Sequence, residues 1–214
     1  MPRPPRPPLL LSRSVFVLGH LGIGLRLAAL LPGVARAPRW IALGTLLPDL
    51  LDKPLYYGLS LATGKHAAEL GLISGTRTFG HTALLGLALA AALAQRGHRL
   101  AGRALLAGLF THWLLDLGGE PAGALLQRLG LLAPLPPSAG PSTLAAILFP
   151  ALGLHFPVIP FRNVAEHFAS LRNLYTLSGE ALGGWLLWRA YWPLRSRWRE
   201  LFTRAAPLPR APDR

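Results

Sequence analysis

The chain has 214 residues, 51% of them hydrophobic and only 14% charged, with a mean hydropathy of +0.38; soluble domains carry roughly 25% charged residues, so composition argues against that class. The formal net charge is +13 and is carried almost wholly by arginine, since Lys53 and Lys65 are the only lysines. A surplus of this size calls for an anionic surface, phospholipid headgroups in so apolar a chain rather than nucleic acid, for which no binding motif is present. Cysteine is absent, which excludes disulfides and zinc-thiolate sites and leaves His, Asp and Glu as the metal ligands to look for.

From the N-terminus, MPRPPRPPLLLSR sets basic residues ahead of an apolar run with no small-residue cleavage site after it, so the first helix is expected to stay. The Pro-rich stretches 1–8 and 206–214 lie in tails, 1–13 and 200–214, that are expected to be disordered, because proline without an apolar partner face does not offset the entropy of ordering. Residues 14–199 read as one membrane-embedded helical domain. Its apolar segments fall at about 14–31, 40–61, 80–95, 101–118, 141–161 and 178–192, separated by Pro, Gly or Arg. A clean span needs about 20 apolar residues, so several of these must tilt, pack on neighbours or end inside the protein. Pro150, Pro157 and Pro160 remove helix donors from the fifth, which reads as broken or re-entrant. The expected fold class is therefore all-α, a polytopic membrane helical bundle of about five spans plus one broken or re-entrant segment. Arginines sit in three clusters, Arg36 with Arg39, Arg96 with Arg99 and Arg103, and Arg195 with Arg197 and Arg199. These fall on one side if the fifth segment does not cross, giving a multi-pass protein of five spans with a cytoplasmic C-terminus. Arg3, Arg6 and Arg13 oppose that orientation.

Ionisable groups inside apolar segments are costly, which makes function their default reading. In chain order they are His20, Asp49 with Asp52, Arg77 with His81, and His112 with Asp116. His20 falls in the first half of the first span, the Asp pair late in the second, His81 at the start of the third, and His112 and Asp116 at the end of the fourth, so all are expected at one membrane face. In THWLLDLGG, a spacing of four puts His112 and Asp116 on one helix face, able to bind one ion. In GTLLPDLLDKP, a spacing of three does the same for Asp49 and Asp52. Imidazoles with carboxylates suit one or two divalent ions, zinc or manganese rather than calcium, and such an ion activates water and polarises a phosphoryl or carbonyl oxygen. Each group also has a structural reading: packing for His20, capping or pairing with Lys53 and Arg77 for the aspartates, a polar bridge between helices for His112 and Asp116, and a cap for His81. His66 and His98, beside Lys65 and Arg99, read as solvated surface.

The run of GTLLPDLLDKP, TRTFGHTALL and THWLLDLGG behind a histidine in the first helix resembles the YdjM-like membrane-bound metal-dependent hydrolases over roughly residues 14 to 120. The resemblance implies an inner-membrane hydrolase distantly similar to zinc-dependent phospholipases C, with His20, Asp49, Asp52, His81, His112 and Asp116 at the motif positions. One common form of the motif has His-Arg ahead of the second histidine, whereas here Thr76 precedes Arg77. One or two ions are therefore expected rather than three. Arg77 is left to hold a phosphate or to orient a carboxylate.

Past residue 120 the remaining candidates for extra ligands or a general base are His155, Glu166 with His167, and Glu180, the last either a base at the same face or a helix cap. Trp185, Trp188, Trp192 and Trp198 read as an interfacial belt. Together these features describe a membrane-bound hydrolase that cleaves a (phospho)ester bond in a lipid or lipid-linked substrate. Its metal ligands are His20, Asp49, His81, His112 and Asp116, with Asp52 either a further ligand or a group that orients one, and Asp52, Arg77 and Glu180 are the candidate catalytic groups. The alternative is a non-catalytic metal-binding membrane protein, a transporter or regulatory partner.

Overall fold

The computed structural model describes residues 16–130, 142–156, 158, 164–169 and 174–204. Regular structure among them is all helical: α1 (Val17–Ala28), α2 (Pro38–Thr63), α3 (Ala83–Gln95), α4 (Arg99–Arg128), α5 (Ser142–Ile147), α6 (Val164–Ala169) and α7 (Leu174–Arg204), with 3-10 turns at Val34–Arg36, Ala67–Leu70 and Phe79–His81. The local signals are legible. Pro38 opens α2 at a position where its missing N–H costs nothing, and Gly64 closes the helix at φ 69°. The Thr82 hydroxyl accepts from Leu85 N and starts α3.

Among its described residues, the expected fifth segment holds the six-residue α5 followed by turns around Pro150; Pro157 and Pro160 lie outside the described residues. Helix α7 runs to Arg204, past the expected domain end; the tails 1–13 and 205–214 lie outside the described residues.

Helix α4 is the central element. Helices α2 and α3 pack along it, α1 lies across both α2 and α4, and α7 rests on α1. Contact is made by small residues: Ala28, Val34, Ala37, Ile41, Ala104 and Ala107 form the apolar cluster at one end. At the crossings a Cβ on Gly44 would stand 2.2 Å from the Leu105 carbonyl oxygen, and one on Gly22 would stand 2.1 Å from that of Gly183. These helices touch backbone to backbone.

Many large apolar side chains point the other way, although Ile41, Tyr56, Leu105 and Leu109 are buried. Leu30, Leu61, Leu84, Leu87, Phe110 and Trp188 are exposed, while His20, Thr45, Asp52, Thr78, His81, His112 and Asp116 are buried. No helix among the described residues is long and apolar enough to cross a membrane. Helices α1 and α3 have 12 and 13 residues, and α2 and α4 carry Asp49, Asp52, Lys53 and Asp116 in their interiors. The helical part of the expectation holds; the five spans do not follow from helix length and hydropathy.

Candidate metal centre

The second helix places Asp49 and Asp52 between Pro48 and Pro54, where the two missing N–H groups already interrupt the backbone ladder. The loop after α2 then returns over this stretch. Asp52 receives it: Thr78 N at 2.7 Å, Thr78 Oγ1 at 2.8 Å, Gly80 N at 2.8 Å and His81 N at 3.2 Å all donate to its carboxylate. Gly80 is required there, because a Cβ would lie 2.8 Å from the Pro48 carbonyl oxygen. The side chain of His81 completes the set, with Nδ1 2.7 Å from Asp52 Oδ2.

An Nδ1–H donated to a carboxylate fixes the tautomer and leaves Nε2 as the open nitrogen of His81. His112 is held in the same way by a different acceptor, its Nδ1 lying 2.8 Å from the Thr45 carbonyl oxygen. The two Nε2 atoms then face each other at 3.2 Å, close enough to share one proton or one cation. Two nitrogens bound to one ion at about 2.0–2.1 Å in tetrahedral geometry stand at about this separation.

The other donors converge on the same place. Asp116 Oδ2 lies 3.6 Å from His81 Nε2 and 3.8 Å from His112 Nε2. His20 stacks on the His112 ring at 4.0 Å between centroids and sets its Nε2 3.5 Å from Asp116 Oδ1. Both His20 nitrogens and Asp116 Oδ1 are buried with no hydrogen-bond partner among the described residues. Leaving such atoms unsatisfied costs about 1–3 kcal/mol each. Asp49 Oδ1 is 4.0 Å from His81 Nε2, so the Asp49 carboxylate and the histidines of α1, α4 and the 79–81 turn belong to one cluster. Donor atoms of His20, Asp49 and His112, and separately of His81, His112 and Asp116, lie within 4.8 Å of one another. The residues fit one or two cations, with His112 common to both triads.

Charge is arranged around this cluster. Arg77 Nε donates to Asp116 Oδ2 at 3.0 Å, which makes Arg77 a carboxylate partner in this state, and Lys53 Nζ lies 2.5 Å from Asp49 Oδ2.

Two expected residues have their oxygens engaged elsewhere. Asp52 spends both oxygens on the 78–81 loop and the His81 ring, which is the orienting one of its two expected roles. Glu180, expected to share the site, instead accepts from Phe16 N, Leu18 N and Gly19 N at 2.8, 3.1 and 2.8 Å. It caps the start of α1 from a neighbouring helix. His155 is exposed on its turn, and the side chains of Glu166 and His167 lie outside the described residues. Thr45 and Thr78 were missed by sequence reasoning, since Thr45 works through its backbone carbonyl and Thr78 through an N–H and a hydroxyl that reach a residue 26 positions away, and neither leaves a local signature. Comparison of the chain with protein-family models, with curated proteins and with solved structures finds no match.

Proposed function

We propose that the chain is a membrane-embedded, metal-dependent hydrolase of the kind its motifs resemble, acting on a (phospho)ester of a lipid or lipid-linked substrate. The observation that carries this reading is the pair of Nε2 atoms of His81 and His112 facing each other at 3.2 Å, beside the buried, unsatisfied His20 nitrogens and Asp116 Oδ1. A divalent ion such as zinc or manganese in such a site supplies an acidified water and polarises a phosphoryl or carbonyl oxygen.

The chain's own residues do the rest. Asp52 and the Thr45 carbonyl hold the two imidazoles in one tautomer and orientation. Arg77 holds Asp116. The cluster is dry except at Asp49, whose side chain is 12% exposed beside Lys53 at 20%, so substrate and protons reach it along that edge. There the Lys53 ammonium lies 5.2 Å from the centroid of the Phe16 ring, and Phe16 stacks on Phe168 at 5.6 Å. A cation beside an apolar wall suits an anionic ester attached to a hydrocarbon chain. The exposed leucines of every long helix support the membrane setting.

The test is elemental analysis of the purified protein followed by assay against phosphodiester and lipid substrates with zinc or manganese, beside His112→Ala and Asp116→Ala. Bound metal at one or two ions per chain and activity lost in both variants are expected. Equal activity in wild type and variants overturns the catalytic reading. The near-closure of the cluster, with His20, His81, His112 and Asp116 each no more than 2% exposed, favours a second reading, a metal-holding protein without turnover. Stoichiometric metal with no activity on any ester would select it.

A further inference from the structure

The far end of the same two helices carries a second polar feature. Arg36, Arg39, Trp40, His98 and Arg99 line a cleft of about 320 Å³, within the size range of small-molecule sites. It is built where α2 begins at Pro38 and α4 begins at Arg99, so two helix N-termini, each with partial positive charge and N–H groups lacking intrahelical partners, border it. Trp40 also packs against the alanine-rich cluster, which fixes one wall.

The cleft has no counter-charge of its own. Arg36, Arg39 and Arg99 form no ion pair among the described residues, and the acidic side chains described are engaged elsewhere. Asp49 pairs with Lys53 and Asp116 with Arg77; Asp52, Glu69, Glu120 and Glu180 accept from backbone N–H groups. The three arginine side chains are exposed on this cleft and have no described carboxylate partner, which leaves them open to an anion from outside, and guanidinium forks match phosphate oxygens bidentately.

We infer that this cleft is a binding site for a phosphate-bearing anion, separate from the metal cluster. Arg39 and Asp49 are ten residues apart on α2 and Arg99 and His112 thirteen apart on α4, which at about 1.5 Å per residue sets the two sites about 15–20 Å apart. The inference does not depend on the cluster binding metal.

The experiment is calorimetric titration of the full-length, chelator-treated protein in a non-ionic detergent with inorganic phosphate, then with soluble short-chain phosphatidylglycerol, with phosphatidylcholine as the zwitterionic control. One saturable site is expected. It should weaken about tenfold or more in Arg39→Gln with Arg99→Gln, each substitution removing a charge-assisted hydrogen bond. The change should stay under about twofold in Arg128→Gln with Arg189→Gln, which removes the same net charge elsewhere. If the double variant unfolds, the exposed Arg36→Gln replaces it, with weakening of about threefold or more expected. Phosphatidylglycerol that competes with phosphate identifies a headgroup site. Phosphate binding without that competition identifies a free phosphate or soluble phosphoester. No saturable binding of either ligand, equal loss in both double variants, or unchanged binding in Arg36→Gln where it is the substitute overturns the inference.

Discussion

Asp52 and Glu180 are both carboxylates that accept several backbone N–H groups, yet only Asp52 also touches a histidine of the cluster, 2.7 Å from His81 Nδ1. That contact separates their consequences. Asp52→Asn removes the charge that sets the His81 tautomer and should weaken zinc binding about 10–100-fold, as loss of an outer partner of a ligating histidine does; competition titration against a chelating dye measures it, and an unchanged affinity would release His81 from Asp52's control. Glu180→Gln should leave metal content intact and lower stability by about 1–2 kcal/mol, because it loosens a cap on three N–H groups of α1. Thermal unfolding reads that change. The opposite pattern, full stability with lost turnover, would restore Glu180 as a base. The i,i+3 spacing told that Asp49 and Asp52 share a helix face, but it could not tell that they flank the same imidazole, one at each nitrogen.

At the level of elements, the bundle depends on glycines where helices cross. A methyl group at Gly44 meets the Leu105 carbonyl oxygen at 2.2 Å, whereas one at Gly58, on the same helix, meets nothing within 4 Å. The two Gly→Ala substitutions should therefore have opposite signs. Gly58→Ala gains about 0.5–1 kcal/mol from reduced backbone entropy in the unfolded chain, and Gly44→Ala loses about 1–3 kcal/mol as α2 is pushed off α4. Chemical denaturation of the two variants in parallel checks this, and destabilisation of the same size in both would remove the crossing from the account. The effect reaches the cluster because Thr45, next to Gly44, supplies the carbonyl that holds His112. Acidic residues serve the elements too: Glu180 caps α1 from α7, and Glu120 on α4 accepts from Thr143 N at 2.9 Å near the start of α5. The sequence placed Glu180 near a helix terminus but assigned it to its own helix, since a cap supplied from another chain segment has no local spacing.

Among the described residues a buried cluster of His, Asp and Thr lies beside a small apolar core, while many large apolar side chains are exposed; in a water-facing globule charged groups are almost never fully buried unless paired. Leu30 at 79%, Leu61 at 89% and Leu84 at 63% exposure need a covering phase, and the proposed one is lipid. Alkaline washing of membranes from cells expressing the full chain should leave it in the pellet and non-ionic detergent should release it; recovery in the alkaline supernatant would sink the embedded reading. The composition by itself determined that helices with an apolar exterior would form, because hydrophobic runs broken by Pro, Gly and Arg leave few other solutions. It also singled out most of the residues that the structure gathers into one buried cluster, since a histidine or aspartate in such a run is kept only against a solvation cost. Tertiary structure alone decided how those residues divide the work. Whether a carboxylate binds, orients or caps depends on which N–H groups reach its oxygens, and for Asp52, Glu180 and Arg77 those partners come from 26 to 164 positions away, a distance over which residue spacing carries no geometric information.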